Sequence, residues 1–185
     1  NVDFDISAGG AGKGMADVLA GAVDIGMVSR EIHQEEIDQG AFWVSVTMDA
    51  VVPTLCANNP YLDQILARGL TQQEFEAIWT GQITQWGELL DDPTITDEIH
   101  VYTRSDACGA AETWANYLGD YHQEDLQGVA VYGDPGLATA VTEDPLGVGY
   151  NNLNFAYDAD TLIPVDNLQV IPIDLNQNNQ LDEDE

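Results

Sequence analysis

Arg104-Ser105-Asp106-Ala107-Cys108-Gly109-Ala110-Ala111-Glu112-Thr113-Trp114 follows a strand-like run, Ile99 to Thr103, and opens a helical pattern from Ala110 to Leu118. A cation closing a strand, then small residues opening a helix, is the local chemistry of an oxyanion site. The first-turn N–H groups of a helix lack intrahelical partners, and the helix dipole favours negative charge beside them. Arg104 adds a fixed fork of donors. Taken alone, the stretch favours a plainer reading: a strand–turn–helix junction whose Arg pairs with a nearby carboxylate.

The same grammar recurs upstream. Asp3 to Ile6 alternates as a half-buried strand does, the predicted strand running from Val2. It enters Ser7-Ala8-Gly9-Gly10-Ala11-Gly12-Lys13-Gly14, and then Met15, Val18, Leu19 and Ala22 recur at helical spacing. Such a loop brings backbone N–H groups against an anion. It has neither the Walker A nor the GxGxxG spacing, which disfavours a nucleotide. Val23 to Val28 reads as another strand, ending in Ser29-Arg30, and Glu31 to Gly40 as a short acidic helix. Phe42 to Ala57 is the longest strand-rich run, long enough at about 3.3 Å per residue to cross between two lobes, with a bend at Pro53.

Helix starts are marked by Asn59-Pro60 and Asp134-Pro135. Thr71-Gln72-Gln73-Glu74 is a capping box, and Leu70 with Phe75 has staple spacing. That helix carries Phe75, Ile78 and Trp79 on one face and stops at Gly81. Gly147-Val148-Gly149-Tyr150 reads as a return strand. Strands alternating with helices predict an α/β fold.

Composition narrows the partners. Acids number 33 against four Lys or Arg, a formal charge of −29. No basic surface exists to neutralise phosphates, which excludes nucleic acid and anionic membrane surfaces. The acids are scattered, and such a lysine-poor surface fits a protein kept soluble at high salt, from a halophilic source. A length of 185 residues allows one large domain or two small lobes. The cysteines, Cys56 and Cys108, leave a disulfide open. No run of about 18 apolar residues spans a membrane. The start at Asn1, without a signal peptide, suggests a mature, trimmed or partial chain.

The cations are Lys13, Arg30, Arg68 and Arg104. Three of them sit beside small-residue junctions after predicted strands, where α/β sheets bind ligands. That placement suggests an anion pocket. Arg68, on an amphipathic helix, reads as a surface ion pair.

Four segments together resemble the phosphate-binding proteins of ABC phosphate importers, of the type II periplasmic-binding-protein fold. They are Ser7 to Gly14, Val23 to Arg30, Leu70 to Trp86, and Thr103 to Thr113, the last similar to an Arg-x-x-Gly-Ser-Gly-Thr-x-x-Thr signature. Pro145 to Tyr150 fits the family's return crossing. The resemblance implies a two-lobed clamp, closing on inorganic phosphate or another tetrahedral oxyanion (sulfate, molybdate, tungstate) and delivering it to a membrane permease. It implies ligand contacts from Ala11, Gly12, Ser29, Arg104, Cys108, Gly109 and Ala110, with Arg30 close by. It also implies lobes at residues 1–52 and 53–147 and a return at 148–185, partial at both ends. An extracytoplasmic, secreted or lipid-anchored monomer without a required cofactor follows. Ala11, Cys108 and Ala110 stand where the family usually has hydroxyls, and Ser29 where some relatives place a carboxylate. Asp106 is a conceivable substitute acceptor.

The acidic tail holds a separate pattern. Asp174, Asn176, Asn178, Gln180, Asp182 and Glu185 fall at the donor positions of a Ca²⁺ loop, with Asn179 where Gly is usual. A solvated acidic tail is the other reading. An enzyme would need a nucleophile–base pair or a metal cluster. Cys108 beside Arg104 and the scattered His33, His100 and His122 offer neither, so a binding protein is expected, not an enzyme. A structural module would have no use for cations at three strand ends.

Overall fold

The computed structural model describes residues 3–182. Its frame is a five-stranded mixed sheet in the order β3-β2-β4-β1-β5. The strands are β1 (Val51–Cys56), β2 (His100–Arg104), β3 (Val129–Val131), β4 (Gly147–Asn152) and β5 (Leu168–Val170). β2 runs parallel to β3 and β4, and β1 runs antiparallel to β4 and β5. Val51 pairs with Asn152, so the chain enters and leaves this strand pair at the same edge.

Successive strand residues face opposite sides of a sheet, and β4 shows what each side receives. A Cβ on Gly149 would lie 2.7 Å from Val141, so this face takes α7 (Gly133–Glu143) at a separation only glycine allows. Tyr150, its neighbour, faces Trp114 on α6 (Gly109–Leu118), with ring centroids 5.8 Å apart at 20°. Trp114 also meets Phe75 at 5.4 Å and Trp79 at 5.2 Å, both edge-on, from α4 (Gln72–Trp79). Such pairs add about 0.5–1.5 kcal/mol each beyond the area they bury. Helices on both faces make this a layered α/β body.

Local signals place the helices. The Thr71 hydroxyl accepts from the Glu74 N–H at 3.2 Å, and the Glu74 carboxylate accepts from the Thr71 N–H at 2.8 Å. Gly81 follows with φ +72. Asn59 accepts from the Tyr61 N–H, and α3 (Leu62–Arg68) starts just beyond, two residues after Pro60. Arg68 is more than a surface pair. It is bound to Glu74, to the Leu89 carbonyl at the end of α5 (Trp86–Leu89), and to Asn179. The segment after β4 stays on the sheet through α8 (Leu153–Ala156), β5 and a Leu70–Ile173 bridge.

Residues 3–50 depart from expectation. They hold α1 (Ala11–Leu19) and α2 (Gln34–Asp38), but the described residues of the three predicted strands at 2–6, 23–28 and 42–50 form no strand. Phe42, Val46 and Met48 are 89%, 87% and 95% exposed. An alternating sequence becomes a strand only when a neighbour completes its hydrogen-bond ladder. No described residue supplies one here. Of the long predicted run only Val51–Cys56 is a strand, where β4 and β5 flank it.

Candidate functional site

β2 ends at Arg104, whose backbone N–H donates to the Tyr150 hydroxyl at 3.2 Å; Thr103 shares that hydroxyl at 2.8 Å. Burial pushes the Tyr150 phenol up to about 12, so it stays a neutral anchor. The Arg104 side chain is 4% exposed and held on two sides. Its Nε and Nη2 donate to the two oxygens of Asp106 at 2.9 and 2.7 Å, and Nη1 donates to Asp134. Burial opposes the Arg104 charge, but the hydrogen bond to Asp106 and the negative groups around it raise its pKa overall. The hydrogen bond from Arg104 in turn holds Asp106 below the usual carboxylate range.

Beyond Arg104 the chain turns into α6. Cys108 caps it, its sulfur accepting from the Ala111 N–H at 3.4 Å, while the Cys108 N–H donates to Gln123. Desolvation pushes the Cys108 thiol up, which disfavours a thiolate nucleophile. Both cysteines are free and buried, so no disulfide joins them. The Gly109 and Ala110 N–H groups, in the first turn, have no partner within the helix.

Residues 3–50 close over this helix start. Ideal Cβ atoms would lie 2.1 Å from the Ala107 carbonyl at Gly10 and 2.2 Å from the Ser29 carbonyl at Gly109. Between the N-termini of α1 and α6 lies a cavity of about 310 Å³. Ala11, Ser29, Arg104, Cys108, Gly109 and Ala110, all expected ligand residues, line it together. Asp106, Asp134 and Tyr132 complete its wall.

Two expected residues lie elsewhere. Gly12 lines a separate cleft between α1 and α2, although a Cβ on it would lie 3.5 Å from Ala107. Arg30 is folded back onto Glu36, bonded to both oxygens at 3.0 and 2.6 Å, and does not line the cavity. Lys13 pairs with Asp17 on the same helix. Every cation in the described residues therefore has a carboxylate partner, and only Arg104 combines one with the cavity. Asp134, which the sequence places as a helix cap, lies inside α7, which begins at Gly133 with Tyr132 preceding it, and the Asp134 side chain turns to Arg104.

In the tail, the Asn178 and Asn179 N–H groups donate to the buried Asp174 at 3.3 and 2.8 Å. The side-chain amides of Asn176 and Asn178 donate to Asp182, and the Gln180 N–H donates to Asn178. The expected donors thus gather in one loop, except that Glu185 lies outside the described residues. No group of three or more His, Cys, Asp or Glu suited to a metal occurs among the described residues.

A layered α/β body whose strand and helix ends converge on one cleft defines a periplasmic-binding-protein-like fold of type II. The chain belongs to the PBP superfamily domain family, whose model matches residues 1–183. The phosphate-binding protein PstS of Bacillus subtilis is 29% identical over 163 residues, covering 86% of this chain and 50% of that protein. PstS of Staphylococcus aureus is 24% identical, covering 83% of this chain and 47% of its own length. A Clostridium perfringens structure described as a phosphate ABC transporter substrate-binding protein, with bound phosphate, superposes with a TM-score of 0.72 at 26% identity. It covers 89% of this chain and 61% of that one. A phosphate transport receptor of Vibrio cholerae, at 20% identity and TM-score 0.63, shares the fold, over 89% of this chain and 62% of its own. The chain spans about half the length of the curated relatives it matches.

Proposed function

We propose that the chain is part of an extracytoplasmic solute-binding protein that captures inorganic phosphate for an ABC importer. One observation carries this reading: two helix N-termini and the buried Arg104 point at one cavity. Arg has five N–H donors; three are taken by Asp106 and Asp134, leaving two for an oxyanion. Backbone N–H groups of Gly109 and Ala110 add donors that need no hydroxyl side chain. Desolvation pushes the Cys108 thiol up, which supports capture over thiolate chemistry. Residues 1–52 would then contribute to one jaw and 53–147 to the other, pivoting at β1 and β4, with a permease as downstream partner. The similarity to phosphate-binding proteins of Bacillus subtilis and Clostridium perfringens supports the phosphate choice.

Inorganic phosphate is expected to raise the melting temperature of the full chain, and Arg104→Ala to abolish that rise. Saturating ligand at about 100 times Kd adds about 2.7 kcal/mol, a shift calorimetry resolves easily. An unchanged phosphate response in the variant would remove Arg104 from the site.

We also propose that the tail binds Ca²⁺, because its oxygen-only donors suit a hard cation. Asp174→Ala should abolish saturable Ca²⁺ uptake in titration calorimetry; a wild-type chain without such uptake ends the idea.

A further inference from the structure

The loop from Arg104 to Cys108, between β2 and α6, is held by a residue well downstream of it. Gln123 opens a single 3-10 turn, Gln123–Asp125, that follows α6. Its Oε1 accepts from the Cys108 N–H at 3.1 Å, and its Nε2 donates to the Asp106 carbonyl at 2.7 Å. A longer contact, at 3.5 Å, reaches the Arg104 carbonyl. Carbonyls only accept and backbone N–H groups only donate, so a primary amide fits this loop in one orientation. The Gln123 N–H donates in turn to Glu112, in the first turn of α6, at 3.2 Å. One residue thus ties the loop to the helix it enters, and it does so from outside the residues that line the cavity.

These bonds bear on anion affinity through the backbone. A strand-to-helix loop holds carbonyl oxygens as well as N–H groups, and an oxyanion is attracted by the second and repelled by the first. The Gln123 amide satisfies the Asp106 carbonyl and directs it at a group outside the cavity lining. It also fixes the Cys108 peptide, from which the Gly109 and Ala110 N–H groups follow. On another side of the loop, Gly10 lies against the Ala107 carbonyl at a separation that only glycine allows. The loop is therefore held by Gln123 and by the start of α1. Donors held in place before a ligand arrives lose less freedom on binding it.

We infer that Gln123 is a positioning residue for anion capture: its side-chain amide orients the Arg104–Cys108 backbone so that N–H donors, and not carbonyls, meet the anion. The assignment rests on the phosphate-capture reading above. Gln123 touches no ligand in this scheme and acts through Asp106, Cys108 and the start of α6.

The test is titration calorimetry of the full chain with inorganic phosphate, set beside urea denaturation without it. Gln123→Met keeps the bulk and removes the amide. Gln123→Glu keeps an acceptor for the Cys108 N–H but sets a carboxylate against the Asp106 carbonyl. Each should weaken phosphate about tenfold, the worth of roughly one hydrogen bond. Phosphate-induced shifts of the Gly109 and Ala110 amide signals in NMR should shrink as well, a readout that lost stability alone would not move. Leu126→Ala is the reference, since Leu126 is a buried apolar residue just past the same turn. It should lower the denaturation midpoint and leave phosphate affinity unchanged. A wild type that binds phosphate, with unchanged affinity in both Gln123 variants, overturns the Gln123 assignment alone. An affinity that falls as far in Leu126→Ala overturns it too, by making the effect one of stability. A wild type that binds no phosphate overturns the capture reading itself, and the assignment with it.

Discussion

Residues 3–50 and residues 51–182 spend similar apolar sequence in opposite ways. In the second region Phe75, Trp79, Trp114 and Tyr150 are buried against one another, and the strands have ladder partners. In the first, Phe4, Ile6, Ile25, Met27, Phe42 and Val46 are all exposed, and among its described helical residues only Ala11 and Met15 are buried. Hydrophobic alternation is therefore a request for a partner surface, and only the second region contains one. The first region meets the second where Gly10 lies against Ala107 and Ser29 against Gly109, while the Arg30–Glu36 pair is internal to it.

That contrast can be broken by substitution. Trp114→Ala removes the centre of the aromatic cluster and should cost about 3–5 kcal/mol, read from urea denaturation. Phe42→Ala, in the exposed run, should stay within about 0.5 kcal/mol; comparable costs would end the distinction. Gly109→Ala sharpens it at the junction. Its methyl group would meet the Ser29 carbonyl and hydroxyl at 2.2 and 2.3 Å, and overpacking of this kind costs about 1–3 kcal/mol. Faster protease cleavage within residues 20–50 is expected, and unchanged cleavage would mean that this segment does not rest on α6.

The smallest effect concerns pH. Two hydrogen bonds from Arg30 and one from the His33 N–H hold Glu36 down, from 4.5 to about 2. A lowered folded pKa contributes stability that is complete above 4.5 and lost as pH falls towards 2. Signals of α2 should therefore fade in that window by NMR, before those of the sheet. Glu36→Gln should flatten the response, and a Glu36 titrating at its ordinary value would sever this tie.

What was legible in the sequence follows the range of the interaction involved. The Thr71–Glu74 box and the β2–α6 junction depend on neighbours within a few residues, and both stand where the residues put them. Six cavity residues were readable because small residues after a strand recur in two places and resemble one family. Asp134 was not, since it is one of 33 acids, and its proline neighbour pointed to a cap. Its partnership with Arg104 spans 30 residues and exists only because β2 and α7 pack together. Arg30 differs: its partner Glu36 is only six residues away, a pairing that the placement of a cation after small residues does not reveal. The absent strands at 3–6, 23–28 and 42–50 mark the limit of periodicity, which reports a face and says nothing of what covers it.

Tyr150 has one more consequence. Its hydroxyl holds the backbone of Arg104 while its ring lies on Trp114. The cavity wall is thus a single packing contact from an indole fluorophore already shielded from solvent. An anion that shifts Arg104 has a direct mechanical route to tryptophan emission, so occupancy can be followed optically in unlabelled protein. Trp114→Phe would darken that channel while leaving the donors of the cavity in place.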